Sequence, residues 1–256
     1  MPQNSKSRVK RLFRSAGKVA AGLFALALVL AILAYKNVIP GGPELMETIE
    51  HGKNIVRRRS FANEAAAIPK GAIVFVGSSS AAAFPINVYF PNKPVINRGL
   101  NAELAEHLKF RVQSSLPDAE PAGIVLWTGM NDLRADAQPP EEVALRVERV
   151  LDNIYAKFPR ANVVIIDLPP QVDSDPQSIL RLQDTNQRLK VLAEKRGAVF
   201  LNTDRPPITN SSGQLSAVMA RPDRKHYNFA AYGLLAKWLI EDGGAVGKAL
   251  APASSQ

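Results

Sequence analysis

The segment Ile73-Val74-Phe75-Val76-Gly77-Ser78-Ser79-Ser80 runs four apolar residues straight into a glycine and three hydroxyls. A short apolar run bounded by a turn signal reads as a buried strand. Glycine lets the backbone turn sharply at its end. A serine on that turn sits at the carboxyl end of a central strand, where open α/β sheets place their ligands. Taken alone, Gly-Ser-Ser-Ser fits a plain polar loop better, so the surrounding chain has to decide.

On both sides of this segment, strands and helices alternate. Further candidate strands are Pro94–Asn97, Ile124–Trp127, Val163–Ile166 and Ala198–Leu201. In 141–158, apolar residues fall at Val143, Val147, Val150, Leu151, Ile154 and Phe158, the spacing of one helical face. Residues 176–195 repeat the pattern with Ile179, Leu182, Leu189 and Leu192, and 228–240 closes the series. Apolar strands alternating with amphipathic helices predict an α/β domain with a parallel sheet covered on both faces.

The charge is unevenly spread. The chain of 256 residues carries a formal net charge of +9, but residues 1–36 hold seven basic side chains (Lys6, Arg8, Lys10, Arg11, Arg14, Lys18 and Lys36) and no acid. Beyond Lys36, 25 basic and 23 acidic side chains nearly cancel. The basicity belongs to the tail, so nucleic acid is not expected as a partner. There is no cysteine, which excludes disulfides, thiolate metal sites and a cysteine nucleophile.

After the basic tail (1–18), Val19–Tyr35 is uncharged: VAAGLFALALVLAILAY. A helix of that length spans about 25 Å, the short end of what crosses a bilayer. The preceding basic cluster would stay cytoplasmic and send the rest of the chain across. A cleaved signal needs small residues at −3 and −1; with Ala34 at −1, Ile32 falls at −3 and fits badly. The expectation is an uncleaved single-pass anchor over 19–36 in a bacterial inner membrane, with a periplasmic domain. A linker and membrane-proximal helix follow over 37–69, with helix expected from Glu44 to Ala67 and Arg57-Arg58-Arg59 on its solvated face. The main domain is expected over 70–250, with a frayed tail at 251–256.

Four short signals lie at or after expected strand ends or before the last helix: Gly77-Ser78-Ser79, Asn97-Arg98-Gly99-Leu100-Asn101, Gly129-Met130-Asn131-Asp132 and Asp223-Arg224-Lys225-His226. Each alone is weak. Together they fill the roles of serine acyl transfer. A serine hydroxyl needs a base within hydrogen-bond reach, and the base needs a carboxylate to fix its tautomer. Negative charge developing on the tetrahedral intermediate needs fixed donors. Gly99 offers an unobstructed N–H and Asn131 an amide. Of the three histidines, His51, His107 and His226, only His226 has a carboxylate at a useful spacing, Asp223.

These four blocks, in this order, resemble the SGNH (GDSL-like) hydrolase superfamily in its Gly-Ser-Ser form, over roughly 70–240. The resemblance implies a three-layer α/β/α domain of flavodoxin-like kind. It implies Ser79 as nucleophile, Asp223 and His226 as the rest of a triad, and Gly99, Asn131 and the Ser79 N–H as the oxyanion hole. No metal or organic cofactor is implied. Ser78 replaces the aspartate usual before the nucleophile, Ala102 stands where a second glycine is common, and Arg224-Lys225 fills the triad spacer. Arg98, Arg224 and Lys225, with Arg205 and Arg221, read as ordinary surface charge or as a basic rim that binds an anionic substrate. The expected activity is hydrolysis of carboxyl esters, with O-acyl or O-acetyl groups on a cell-envelope glycan or exopolysaccharide as substrate. An acyltransferase, a lysophospholipase or a thioesterase would use the same residues. A silent glycan-binding domain would have no need of Ser79, Asp223, His226 and Asn131 together.

Overall fold

In a computed structural model of the protein, residues 26, 29 and 42–252 are described. The expected anchor over 19–36 therefore lies outside the described residues, apart from two isolated positions. Among the described residues, no helix is long and apolar enough to cross a membrane. The chain divides into two units, Met1–Ile55 and Val56–Gln256, and the sheet and the candidate site belong wholly to the second.

The first helix, α1, spans Gly42–Glu64 and is followed by a short 3-10 turn. The domain then alternates as expected: β1 (Ile73–Gly77), α2 (Ser79–Ala82), α3 (Ile86–Tyr89), β2 (Val95–Gly99), α4 (Ala105–Ser115), β3 (Gly123–Trp127), α5 (Met130–Arg134) and α6 (Pro140–Lys157). Then follow β4 (Val163–Ile166), α7 (Pro176–Lys195), β5 (Val199–Leu201), α8 (Phe229–Asp242) and α9 (Gly244–Leu250). The five strands form one parallel sheet in the order β2-β1-β3-β4-β5.

Successive side chains of a strand point to opposite faces, so each strand feeds two cores. Val74, Val76, Ile124, Leu126, Val163 and Ile165 pack under α4, α6 and α7. Ile73, Phe75, Val125, Trp127, Val164 and Ile166 pack under α3, α8 and α9. Both faces are covered, which is why β1, β3 and β4 carry no polar alternation. The strand order reverses between β1 and β3. In an open parallel sheet the crevice outside the strand ends at that point is where ligands bind. It lies between the turns that begin Gly77-Ser78-Ser79 and Gly129-Met130-Asn131.

Strand β2 runs two residues beyond its expected end, to Gly99. Gly77 and Gly99 are paired across the sheet. Arg98 is therefore a strand residue and is buried, not part of a rim. Its guanidinium lies 4.6 Å above the Phe61 ring and its Nη1 pairs with Glu64 at 2.6 Å. Those partners on α1 satisfy a cation that short-range sequence patterns place in a loop. The Arg57-Arg58-Arg59 face is also less free than expected, since Arg58 reaches the buried Glu103 at 3.1 Å.

Candidate active site

Gly77 ends β1 at φ 149°, and a Cβ there would lie 1.9 Å from the Trp127 carbonyl oxygen. Only glycine permits this approach between β1 and β3. The Ser78 N–H donates to the same carbonyl at 3.0 Å, and Ser78 is buried. The chain turns immediately into α2, so Ser79 is the first helical residue and its side chain faces the crevice. The first N–H groups of a helix have no intrahelical acceptor, which leaves the Ser79 N–H beside its own hydroxyl.

Ser79 Oγ lies 3.0 Å from His226 Nε2, and His226 Nδ1 lies 2.8 Å from Asp223 Oδ2. Asp223 Oδ1 accepts from the N–H groups of Lys225 at 2.9 Å and His226 at 3.0 Å. This is an Asx-type turn, with a carboxylate bonding backbone two and three residues on. Arg224, at φ 60°, supplies the left-handed step that brings Asp223 and His226 side by side. Burial pushes the Asp223 carboxyl up, but the two N–H donors and the imidazole outweigh it and hold the group below its ordinary value. A carboxylate kept ionised can orient the ring and stabilise it when it takes a proton.

The turn is fixed from below. Tyr227 is buried against the rings of Trp127 and Tyr232, with centroids 5.8 and 6.1 Å away. Its hydroxyl lies 2.9 Å from Thr203 Oγ1, which bonds in turn to the buried Asp167. Burial pushes the Asp167 carboxyl up to about 7, against hydrogen bonds from Thr203 and Asp204 that pull it down. Asn228 caps α8 by accepting the Ala231 N–H at 3.1 Å.

The Gly-Met-Asn-Asp signal divides its labour. Asp132 is buried and points inward, accepting the Ala105 N–H at the start of α4 at 2.8 Å and Arg146 at 3.1 Å. Asn131 points into the crevice. One of its amide hydrogens goes to the Glu103 carbonyl at 3.0 Å and holds the group in place, and the other remains for a ligand. Glu103 is itself immobilised, buried in a fork with Arg111. Ser79, Asn131 and His226 line one cleft of about 360 Å³, together with Arg134, Gln171 and Lys225.

Gly99 does not join this set as a donor. Its N–H is taken by Asn97 Oδ1 at 2.9 Å, and Asn97 Nδ2 donates to the Ala81 carbonyl at 2.7 Å. A Cβ on Gly99 would meet the Ala82 nitrogen at 2.2 Å. The glycine is there because the backbone of α2 packs on it, and Asn97 ties that helix to β2. Nor is Arg224 a free rim cation: its Nε and Nη2 each reach Asp173 at 2.6 Å. Of the rim candidates, Lys225 alone lines the cleft. Three contributors were not foreseen: Arg134, Gln171 and Glu103. Arg134 was within reach of the sequence, because it follows Asn131 by three residues on the same short helix. Among the described residues, no group of three or more His, Asp or Glu side chains is arranged to hold a metal ion.

A hydroxyl, an imidazole and a carboxylate in hydrogen-bonded series, at the switch point of a 2-1-3-4-5 parallel sheet, define a flavodoxin-like α/β domain with a site of the serine-hydrolase type. The sequence comparison narrows the class. The chain belongs to the GDSL-like Lipase/Acylhydrolase family, a family of ester-hydrolysing enzymes, whose model matches residues 77–234. Among curated relatives, the Homo sapiens platelet-activating factor acetylhydrolase IB subunit alpha2 is 27% identical over 122 residues, which is 47% of this chain and 52% of the relative. The match thus spans about half the length of that relative. A solved structure from Streptococcus pneumonia, named after platelet activating factor, shares the fold with a TM-score of 0.68 and 21% identity, over 77% of this chain and 96% of that one. The Clostridium thermocellum family 3 carbohydrate esterase does so with a TM-score of 0.55 and 15% identity, over 72% of this chain and 100% of that one.

Proposed function

We propose that this protein is a serine esterase that removes an O-acyl group, acetyl in the simplest case, from a glycan of the cell envelope. The observation that carries the reading is the continuous relay from Ser79 Oγ to His226 Nε2 at 3.0 Å and from His226 Nδ1 to Asp223 at 2.8 Å. Ser79 Oγ attacks the ester carbonyl while His226 Nε2 takes its proton. Asp223 holds the ring and balances its new charge. The carbonyl oxygen becomes an oxyanion, held by the Ser79 N–H and the spare amide hydrogen of Asn131. The Gly99 N–H is engaged by Asn97 Oδ1 and adds no third donor. Collapse of the intermediate expels the alcohol, which leaves with the proton from His226. Water then attacks the acyl carbon while His226 takes one of its protons, and the acid leaves as the C–Oγ bond breaks and His226 returns that proton to Ser79 Oγ. A sugar hydroxyl in place of that water would make the same site an acyltransferase.

Three lines support the substrate and location. The uncharged run Val19–Tyr35 behind a basic tail favours a single-pass inner-membrane anchor with the domain in the periplasm. A neighbour in fold is named a carbohydrate esterase, and a relative in sequence is named an acetylhydrolase. The test is turnover of p-nitrophenyl acetate by the full chain, beside Ser79→Ala and His226→Ala. Turnover is expected in the wild type and loss in both variants, with melting curves unchanged. Near-native turnover by Ser79→Ala would refute the assignment.

A further inference from the structure

The cleft beside Ser79 contains a cation that the ester chemistry leaves unused. Arg134 ends α5 one helical turn after Asn131 and lines the cleft with Ser79, Asn131 and His226. Its guanidinium is half-buried. The one hydrogen bond it makes among the described residues runs from Nη2 to Ser174 Oγ at 3.1 Å, a neutral acceptor. Ser174 is buried and also accepts the Gln171 N–H at 3.1 Å, so it holds Arg134 against the loop after β4.

Every acid near Arg134 is committed elsewhere. Asp132 and Asp136 pair with Arg146. Asp173 takes the fork of Arg224. Asp175 caps α7 and accepts the Ser178 N–H at 3.0 Å and hydroxyl at 2.6 Å. No carboxylate pairs with Arg134 among the described residues, and no acidic side chain lines the cleft, which also receives Lys225. Burial draws the guanidinium below its ordinary value, with Asp175 opposing this through space. A half-buried guanidinium whose donors meet no carboxylate directly is costly, and it presents paired donors that match a planar carboxylate.

We propose that Arg134 is the anion-binding residue of the substrate cleft, and that the natural ester carries a carboxylate beside its scissile bond. The proposal rests on the esterase reading above and narrows it. It replaces the expected rim of Arg98 and Arg224 with Arg134, and Lys225 at the cleft mouth adds attraction without fixed geometry. The carboxylate can come from either side of the ester: from a dicarboxylic acyl group, or from the alcohol as an acetylated uronic acid. Ser174 acts as a positioning residue that fixes the guanidinium.

The test compares matched esters with the full chain. On the acyl side, p-nitrophenyl hemiglutarate is set against p-nitrophenyl valerate. On the alcohol side, O-acetylated oligogalacturonate is set against the same oligomer with its carboxyls methyl-esterified. Wild type should prefer the charged member of one pair by about tenfold to a hundredfold in kcat/KM, the worth of one or two charge-assisted hydrogen bonds. The preferred pair identifies the source. Arg134→Gln should collapse that ratio to near one, mainly through KM, while losing at most about threefold on the neutral ester. Ser174→Ala should lower the ratio part of the way, through KM on the charged ester alone, because the guanidinium remains but is no longer held. Equal losses on charged and neutral esters in Arg134→Gln, or no charged preference in wild type, would overturn the proposal and leave the esterase reading intact. Absence of any Ser79-dependent turnover would overturn the esterase reading instead. Calorimetric binding of glutarate and oligogalacturonate to Ser79→Ala protein then decides the subsite: binding lost on adding Arg134→Gln supports it, and no binding removes it.

Discussion

Replacing Asp167 with Asn should change how stability depends on pH, in a direction the structure specifies. Asp167 is buried, with its carboxyl pushed up from an ordinary 3.8 to about 7. Its Oδ2 accepts the N–H groups of Thr203 at 2.9 Å and Asp204 at 3.1 Å, and its Oδ1 meets Thr203 Oγ1 at 2.5 Å. A protonated carboxyl satisfies all three contacts by donating from Oδ1 to the threonine hydroxyl, which can pass its own hydrogen to Tyr227. Asparagine repeats that arrangement, with its amide nitrogen in place of Oδ1.

The unfolded chain loses this proton near pH 4 and the folded chain near pH 7. Between those values the folded state holds a proton that the unfolded state has released. The resulting stabilisation is full below about pH 4, shrinks as pH rises, and is gone above about 7. At about 1.4 kcal/mol for each tenfold in proton affinity, wild type should lose on the order of 2 to 3 kcal/mol relative to Asp167→Asn between pH 5 and pH 8. Urea unfolding of both proteins at pH 5, 6.5 and 8, at constant ionic strength, measures the difference directly. The difference removes every other titrating group, including Asp223, whose lowered carboxyl acts in the opposite sense. Parallel stability curves for the two proteins, or a variant that gains relative to wild type on acidification, would show that Asp167 does not hold its proton in the folded state.

Asn131→Ala should lower kcat on p-nitrophenyl acetate by about 10²–10³, the usual loss for one oxyanion donor, with an unchanged melting temperature; a loss below tenfold would remove Asn131 from that role. Gly99→Ala should destabilise the domain by several kcal/mol, since the added carbon would lie 2.2 Å from the Ala82 nitrogen; a melting temperature within a degree or two of wild type would show that α2 does not pack on this glycine.

Most of the fold was legible because its signals are local. The strand Ile73–Val76 and the 3.6-residue stripe of Val143, Val147, Val150, Leu151 and Ile154 depend only on near neighbours, and both appear as expected. Ser79, Asp223 and His226 were legible as types at strand ends and before the last helix, and the structure brings them together. What stayed hidden depends on partners distant in sequence. Arg98 reads as a loop cation until Phe61 and Glu64 arrive from α1 to bury it. Gly99 reads as a free donor until Asn97 turns back on it and α2 fills the space where a side chain would go. Arg134 is one turn from Asn131 in the sequence, but its lack of a hydrogen-bonded carboxylate emerges only once Asp173 and Asp175 are seen to be bonded elsewhere. Sequence patterns reveal which side chains have chemistry to offer; packing determines which of them are already in use.

Ser79 is proposed as the nucleophile, driven by His226. Treating the full chain with a fluorophosphonate probe and mapping the adduct by peptide mass spectrometry tests it most directly. One phosphonyl group per chain is expected, on Ser79 and not on Ser78 or Ser80, absent from Ser79→Ala and formed at least about a hundredfold more slowly in His226→Ala. An adduct on another serine, or hydrolysis of esters by a chain whose Ser79 stays unlabelled, would contradict it.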